Sequence, residues 1–270
     1  MWWITMWLID PRWFIVISLS SIVFAMMSSM VLSRRMLFLA SSLPHSALLS
    51  ALLSIIIERA SGLPSQVGSL MMSVALISLF SLMISRGLKT DIATAIFLSM
   101  TVSLTAISLY YVLTRFPIAG SVWSYFVGDP LLVTWEDVIY TTLISVITLI
   151  MIIPFLKEHA LIGIDRDFVK LSGVNISFYD AIAVISLAIG IVGMLRVVGF
   201  ILEHIMILLP GVIAASIAKS YRSFLIYASI ISLIGGLGGL VLSIMTSLAP
   251  SGCIGLLMLS FYVVAIRRGR

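Results

Sequence analysis

Apolar runs of about twenty residues recur along this chain, and its charges fall between those runs rather than inside them. As a helix rising about 1.5 Å per residue, such a run covers the roughly 30 Å hydrocarbon layer of a bilayer. Candidate spans lie near 12–33, 36–57, 66–85, 91–114, 135–156, 178–196, 198–218, 223–247 and 252–266. Across 270 residues, 61% are hydrophobic and 10% charged. A soluble domain carries about 25% charged residues, so a water-facing fold has too little polar surface here. The chain therefore reads as one transmembrane domain over 1–270, with no hydrophilic stretch long enough to fold separately. Gly190, Gly193, Gly199, Pro210 and Gly211 interrupt the sixth and seventh runs. They suggest a full span followed by a broken or re-entrant segment near 197–218. The expected fold is an all-α integral membrane protein, a polytopic bundle of 8–9 transmembrane helices.

Basic residues give the orientation. Arg34, Arg35, Arg86, Lys89, Lys157, Arg166, Lys170, Lys219, Arg222, Arg267, Arg268 and Arg270 fall on one side if nine crossings are counted. Arg12, Arg59, Arg115 and Arg196 fall on the other. The positive-inside rule then puts the N-terminus outside and the C-terminus in the cytoplasm. The N-terminus does not read as a cleaved signal peptide, and Trp2, Trp3, Trp7 and Trp13 suit an aromatic belt at the interface.

Two loops are long enough to act. One lies outside at about 115–134, from Arg115-Phe116-Pro117 to Gly128-Asp129-Pro130. The other lies inside at 157–177. In it, Ile164, Phe168 and Leu171 repeat at helical spacing and Val174 follows, which predicts a short amphipathic helix near 164–174. Such a helix either lies on lipid or docks a cytoplasmic partner. The glycine patterns at 190–193 and 235–239 read as close helix packing.

Ionisable groups at membrane depth are functional candidates, because hydrocarbon penalises them. His45 sits about nine residues into the second span, roughly 13 Å deep. Pro44 cannot donate a backbone N–H, which frees a carbonyl one turn earlier. A histidine beside a freed carbonyl is a candidate cation site, or a neutral group bonded to a neighbouring helix. Glu203 and His204 pair two ordinary ligand types for zinc or manganese in the broken segment, or they face an outer vestibule. Neighbours diverge by about 100° on a helix, so they need not share an ion. Arg196 reads as structural, near the outer boundary.

Other classes fit poorly. The net charge of +5 is scattered singly and in pairs without a basic face, which argues against nucleic acid. The single cysteine, Cys253, permits neither an intrachain disulfide nor a CxxC motif. There is no nucleophile elbow, HExxH or phosphate-binding glycine loop, so the chain does not read as an enzyme or an ATPase.

Five segments, in order, resemble the permease subunit of metal-ion ABC transporters, the zinc, manganese and iron type. They are Arg34-Arg35-Met36 running to Pro44-His45-Ser46; Asp91-Ile92-Ala93; Phe126-Val127-Gly128 with Leu131 to Asp137; Asp165 to Val174; and Leu195-Arg196-Val197-Val198-Gly199 through Leu208-Leu209-Pro210. The resemblance covers roughly 30–265. It implies a homodimer in the plasma membrane, each copy docked on a separate cytoplasmic ATP-hydrolysing subunit. It also implies an extracytoplasmic solute-binding protein that delivers a divalent ion. The helix near 164–174 then becomes the coupling helix, with Asp165, Asp167, Phe168, Leu171 and Gly173 at the ATPase. Arg34, Arg35, Arg196, Gly199 and Pro210 become structural motif positions.

The chain departs from that pattern at its metal positions. The family aspartate four residues before the histidine is Ser41 here, and Glu203 and His204 stand where the family has small or apolar residues. The sequence suggests a relocated site: Ser41 and His45 from one helix, Glu203 or His204 from another. Two other readings stay open, a permease for a larger metal chelate of siderophore or cobalamin type, and a membrane scaffold that no longer transports.

Overall fold

The computed structural model describes residues 10–116, 119–128 and 130–268, and all regular structure among them is helical. Trp2, Trp3, Trp7, Pro117, Asp129 and Arg270 lie outside those residues. The helices are α1 (Pro11–Ser33), α2 (Leu37–Ser61), α3 (Ser65–Ser85), α4 (Thr90–Arg115), α5 (Ala119–Val127), α6 (Trp135–Ile152), α7 (Leu156–Ile164), α8 (Arg166–Leu171), α9 (Ile176–Val198), α10 (Phe200–Ile217), α11 (Tyr221–Thr246) and α12 (Pro250–Arg268). Nine stretches among the described residues are long and apolar enough to cross a membrane, with α6 and α7 forming one of them. The molecule is a multi-pass membrane protein.

Local chemistry sets the helix ends. Asp10 caps α1, its carboxylate accepting from the Arg12 backbone N–H at 2.9 Å, and Pro11 opens the first turn. Thr134 and Asp137 form a capping box at the start of α6, and Ser220 and Ser223 do the same for α11. Inside the bundle, serines bond their own helix. In α2 the hydroxyls of Ser42, Ser46, Ser50 and Ser54 each donate to a carbonyl one turn back. This is how a serine-rich helix enters hydrocarbon without orphaned donors.

α1, α2 and α9 are the most enclosed spans, and α3, α4, α6, α11 and α12 form the periphery. α1 packs on α6, α10 and α11; α2 packs on α3, α4, α9 and α10. Met71, Val74, Ile107, Ile139 and Ile150 project outward from the peripheral helices, as lipid-facing side chains must.

The break between the sixth and seventh spans is one residue wide. α9 ends at Val198, Gly199 adopts φ 82° and ψ 152°, and α10 begins at Phe200. Gly128 meets it at the α5 end of the bundle, and a Cβ added to Gly199 would lie 2.1 Å from the Gly128 backbone N. Only glycine fits either the conformation or the contact. α10 is 18 residues long and apolar enough to cross a membrane, so the broken segment expected near 197–218 is a helix that begins at the Gly199 break.

The inner loop also differs from expectation. Residues 157–164 are not loop: after Ile152 a 3-10 turn holding Pro154 bends the chain and helix resumes as α7 to Ile164. Pro154 removes a donor and kinks the path without ending it. Asp165 then breaks the helix and caps α8, its carboxylate accepting from the Phe168 N–H at 2.9 Å. The amphipathic helix expected over 164–174 is therefore the shorter Arg166–Leu171. At the other end, the loop at 115–134 contains α5.

Candidate functional site: an imidazole pair between α2 and α10

Pro44 lies inside α2, one residue before His45. α10 starts immediately after Gly199, so its first turn carries Phe200, Glu203 and His204 at the level of the α5 end. The two helices bring the imidazoles together. The ring centroids of His45 and His204 are 5.3 Å apart, and the Phe200 ring lies 4.8 Å from His45 and 4.5 Å from His204. Both histidines are half-buried.

His204 makes two polar contacts. Its Nδ1 lies 2.9 Å from the Phe200 carbonyl oxygen and its Nε2 3.1 Å from that of Ser41. Carbonyls only accept, and a neutral imidazole has one N–H, so it satisfies one of them and turns a lone pair to the other. That lone pair is what a metal would take. Ser41 thus reaches the site through its backbone; its hydroxyl points back to the Phe38 carbonyl at 2.8 Å. Sequence reasoning named Ser41 for its side chain and missed Phe200 altogether. Only the i, i+4 spacing of Phe200 and His204 hinted that the ring would share their face.

Glu203 lies on another face of the same turn. It is fully buried, and neither carboxylate oxygen has a hydrogen-bond partner among the described residues. Leu202, Met206 and Ile207 are buried with it. Among the described residues no group of three or more His, Cys, Asp or Glu side chains could hold a metal together. What the two helices bring together is a pair of imidazole rings and a carbonyl, candidate donors to an ion.

The other named residues fall into place around this pair. Pro210 lies inside α10, and the next N–H, that of Gly211, donates to the Ser28 hydroxyl of α1 at 2.9 Å. Arg196 faces Asp137 at 3.5 Å and is half exposed. With Gln66, Ser69, Tyr125 and Tyr140 the two line a small cleft at the α5 end. Arg35 is exposed at φ 57°, and Arg34 beside it is buried. Ile164, Phe168 and Leu171 are 78%, 66% and 88% exposed at the opposite end of the bundle, an apolar stripe on α7 and α8. Asp165 and Asp167 are exposed beside it, and Gly173, at φ 81°, turns the chain after α8.

A profile of the ABC 3 transport family matches residues 11–269. The chain is 30% identical over 139 residues to a probable iron transport system membrane protein of Haemophilus influenzae, covering 52% of this chain and 51% of that one. It is 24% identical over 223 residues to the high-affinity zinc uptake system membrane protein ZnuB of the same organism, covering 83% of each. The match thus spans about half the length of the first of these relatives. The fold resembles that of PsaBC from Streptococcus pneumoniae in complex with Fab, at a TM-score of 0.81 and 21% identity, over 94% of this chain and 90% of that one. With nine described helical stretches long and apolar enough to cross a membrane and a profile match over nearly its whole length, the chain belongs to the ABC 3 transport family.

Proposed function

We propose that this protein is the membrane-spanning subunit of an ATP-driven importer for a divalent metal ion of the zinc, manganese and iron group. Two copies form the pathway, separate cytoplasmic subunits hydrolyse ATP, and an extracytoplasmic binding protein delivers the ion. The N-terminus lies outside and the C-terminus in the cytoplasm, so the α5 end faces outward and α8 faces the ATPase. The observation that carries this reading is the His45–His204 pair between two crossing helices, a set of borderline nitrogen donors suited to such ions. A dication among neutral ligands lacks an anion to offset its desolvation. Glu203, adjacent to His204 in sequence but turned to another face of α10, must swing toward the pair to supply that charge, whereas the Ser41 carbonyl already reaches it.

The test is uptake of zinc(II) and of manganese(II) into vesicles holding the chain with its ATPase subunit, with ATP enclosed and the binding protein supplied outside. Native complex accumulates at least one of the ions only when ATP is enclosed. His45→Ala and Glu203→Gln each lower the rate at least about tenfold, the size expected when a ligand-set member is lost. Uptake that survives both changes unaltered removes the site; no uptake by native complex removes the function.

A further inference from the structure

The strongest ionic cluster in the molecule lies far from the imidazole pair, at the α8 end. Asp180, near the start of α9, is shared by two arginines. Arg34, at the end of α1, ion-pairs with Asp180 Oδ1. Arg166, the first residue of α8, meets Asp180 Oδ2 at 2.5 Å. The Arg34 side chain is 3% exposed and that of Arg166 is 58% exposed. Arg34 Nη1 also donates to His159 Nδ1 of α7 at 3.0 Å, which fixes the His159 proton on Nε2. Burial pushes the Arg34 guanidinium down from its ordinary value while Asp180 opposes the shift. Four segments therefore meet at one carboxylate and one guanidinium.

The backbone is tight at the same place. A Cβ on Gly163 of α7 would lie 1.7 Å from the Ser33 carbonyl oxygen, so α7 and the end of α1 touch directly. Five residues back along α1, the Ser28 hydroxyl accepts from the Gly211 N–H and donates to the Leu208 carbonyl at 3.3 Å. Gly211 lies two turns after His204 on α10. Polar contacts thus run from α8 through Asp180 to Arg34 at the end of α1, and six residues back along that same helix, from Ser28 to the helix that carries His204.

We infer that Asp180, bridging Arg166 and Arg34, transmits movement of α8 to α1, and through Ser28 to the α10 segment that carries His204. Asp180 is a positioning residue: it touches neither ion nor nucleotide. Arg166 gives the surface helix its grip, and Arg34, buried and held by His159, gives the membrane helix its own. The inference rests on the proposed docking of α8 to an ATPase subunit.

The experiment measures ATP hydrolysed per ion transported, in vesicles containing the chain and its ATPase subunit with ATP enclosed and the binding protein outside, with zinc(II) and manganese(II) as separate probes. Asp180→Asn and Arg166→Ala are compared with native complex, and co-purification of the ATPase subunit is recorded for each. Both variants keep the ATPase subunit, and the ATP-to-ion ratio rises at least fivefold; Asp180→Glu restores it toward native. A merely structural role lowers hydrolysis and uptake together and leaves the ratio fixed, which overturns the inference. Should Asp180→Asn fail to fold, Arg166→Ala decides, because its side chain is largely exposed and its loss leaves the core intact. An unchanged ratio in native-like vesicles overturns the transmission role alone. Native complex with no ion-dependent uptake overturns the transporter reading, and this inference with it.

Discussion

His204 offers its ring to two carbonyls at once, and that makes it the most informative residue in the molecule. His204→Gln keeps one donor and loses the imidazole lone pair. It should preserve the packing of α2 against α10 while lowering ion uptake at least about tenfold, a split that thermal stability and transport assays read separately. Gly199 is the second sensitive position. Its φ of 82° and its contact with Gly128 leave no room for a methyl group. Gly199→Ala should destabilise the detergent-purified protein by about 2 kcal/mol or more, seen as a lower melting temperature. The sequence pointed to both residues, but not to what they touch. His45 and His204 are 159 positions apart, and helix packing alone decides that their rings meet. Ser41 invited a side-chain reading, whereas its carbonyl makes the contact. Glu203 is the residue whose surroundings the sequence could least describe. Neighbours in sequence face different helices, and it turned inward.

At the scale of elements, α8 and α1 carry the argument. α8 is six residues long, and its exposed Phe168 and Leu171 continue a stripe begun by Ile164. Phe168→Asp with Leu171→Asp should abolish co-purification with the ATPase subunit while leaving the melting temperature of the isolated chain within error, because neither side chain packs into the bundle. Ser28→Ala in α1 removes the partner of the Gly211 N–H and should cost about 1 kcal/mol in stability, measured by thermal melting. The stripe was legible because three apolar residues at helical spacing in a charged stretch have one economical explanation. The length of α8 was not, because Pro154 reads as the end of a helix and acts as a bend in one. The Asp180 bridge was hidden for a different reason. Its arginine partners lie 146 and 14 positions away, and Asp180 itself stands at the edge of an apolar run that claims attention first.

For the whole molecule, the proposed topology follows from nine candidate spans among the described residues, an odd number that puts the start of α1 and the end of α12 on opposite sides of the bilayer. In a Cys253→Ser background, Ser61→Cys should react with a membrane-impermeant thiol reagent on intact cells, and Ser172→Cys only after lysis. Both native positions are exposed, at opposite ends of the bundle. The reverse pattern would invert the topology drawn from the arginines and lysines. The membrane class, the spans and the break at Gly199 were readable from hydropathy and glycine, because the bilayer imposes length and backbone satisfaction on every segment, whereas the bend at Pro154 and the break at Asp165 were not. What joins one span to the next was not readable, since in lipid that depends on packing rather than on water.

On the importer reading proposed above, the contact between His204 and the Ser41 carbonyl also bears on how long an ion stays. In the tautomer that donates its Nε2–H to Ser41, an ion taking that nitrogen must first move the proton to Nδ1, which gives up a hydrogen bond worth about 1 kcal/mol that re-forms when the ion leaves. Re-formation shortens dwell time roughly fivefold relative to a site with a free imidazole. A pore gains from this: throughput requires binding strong enough to admit a cation and weak enough to let it go. On that reading the hydrogen bond between α2 and α10 is a return spring, trading affinity at this station for turnover.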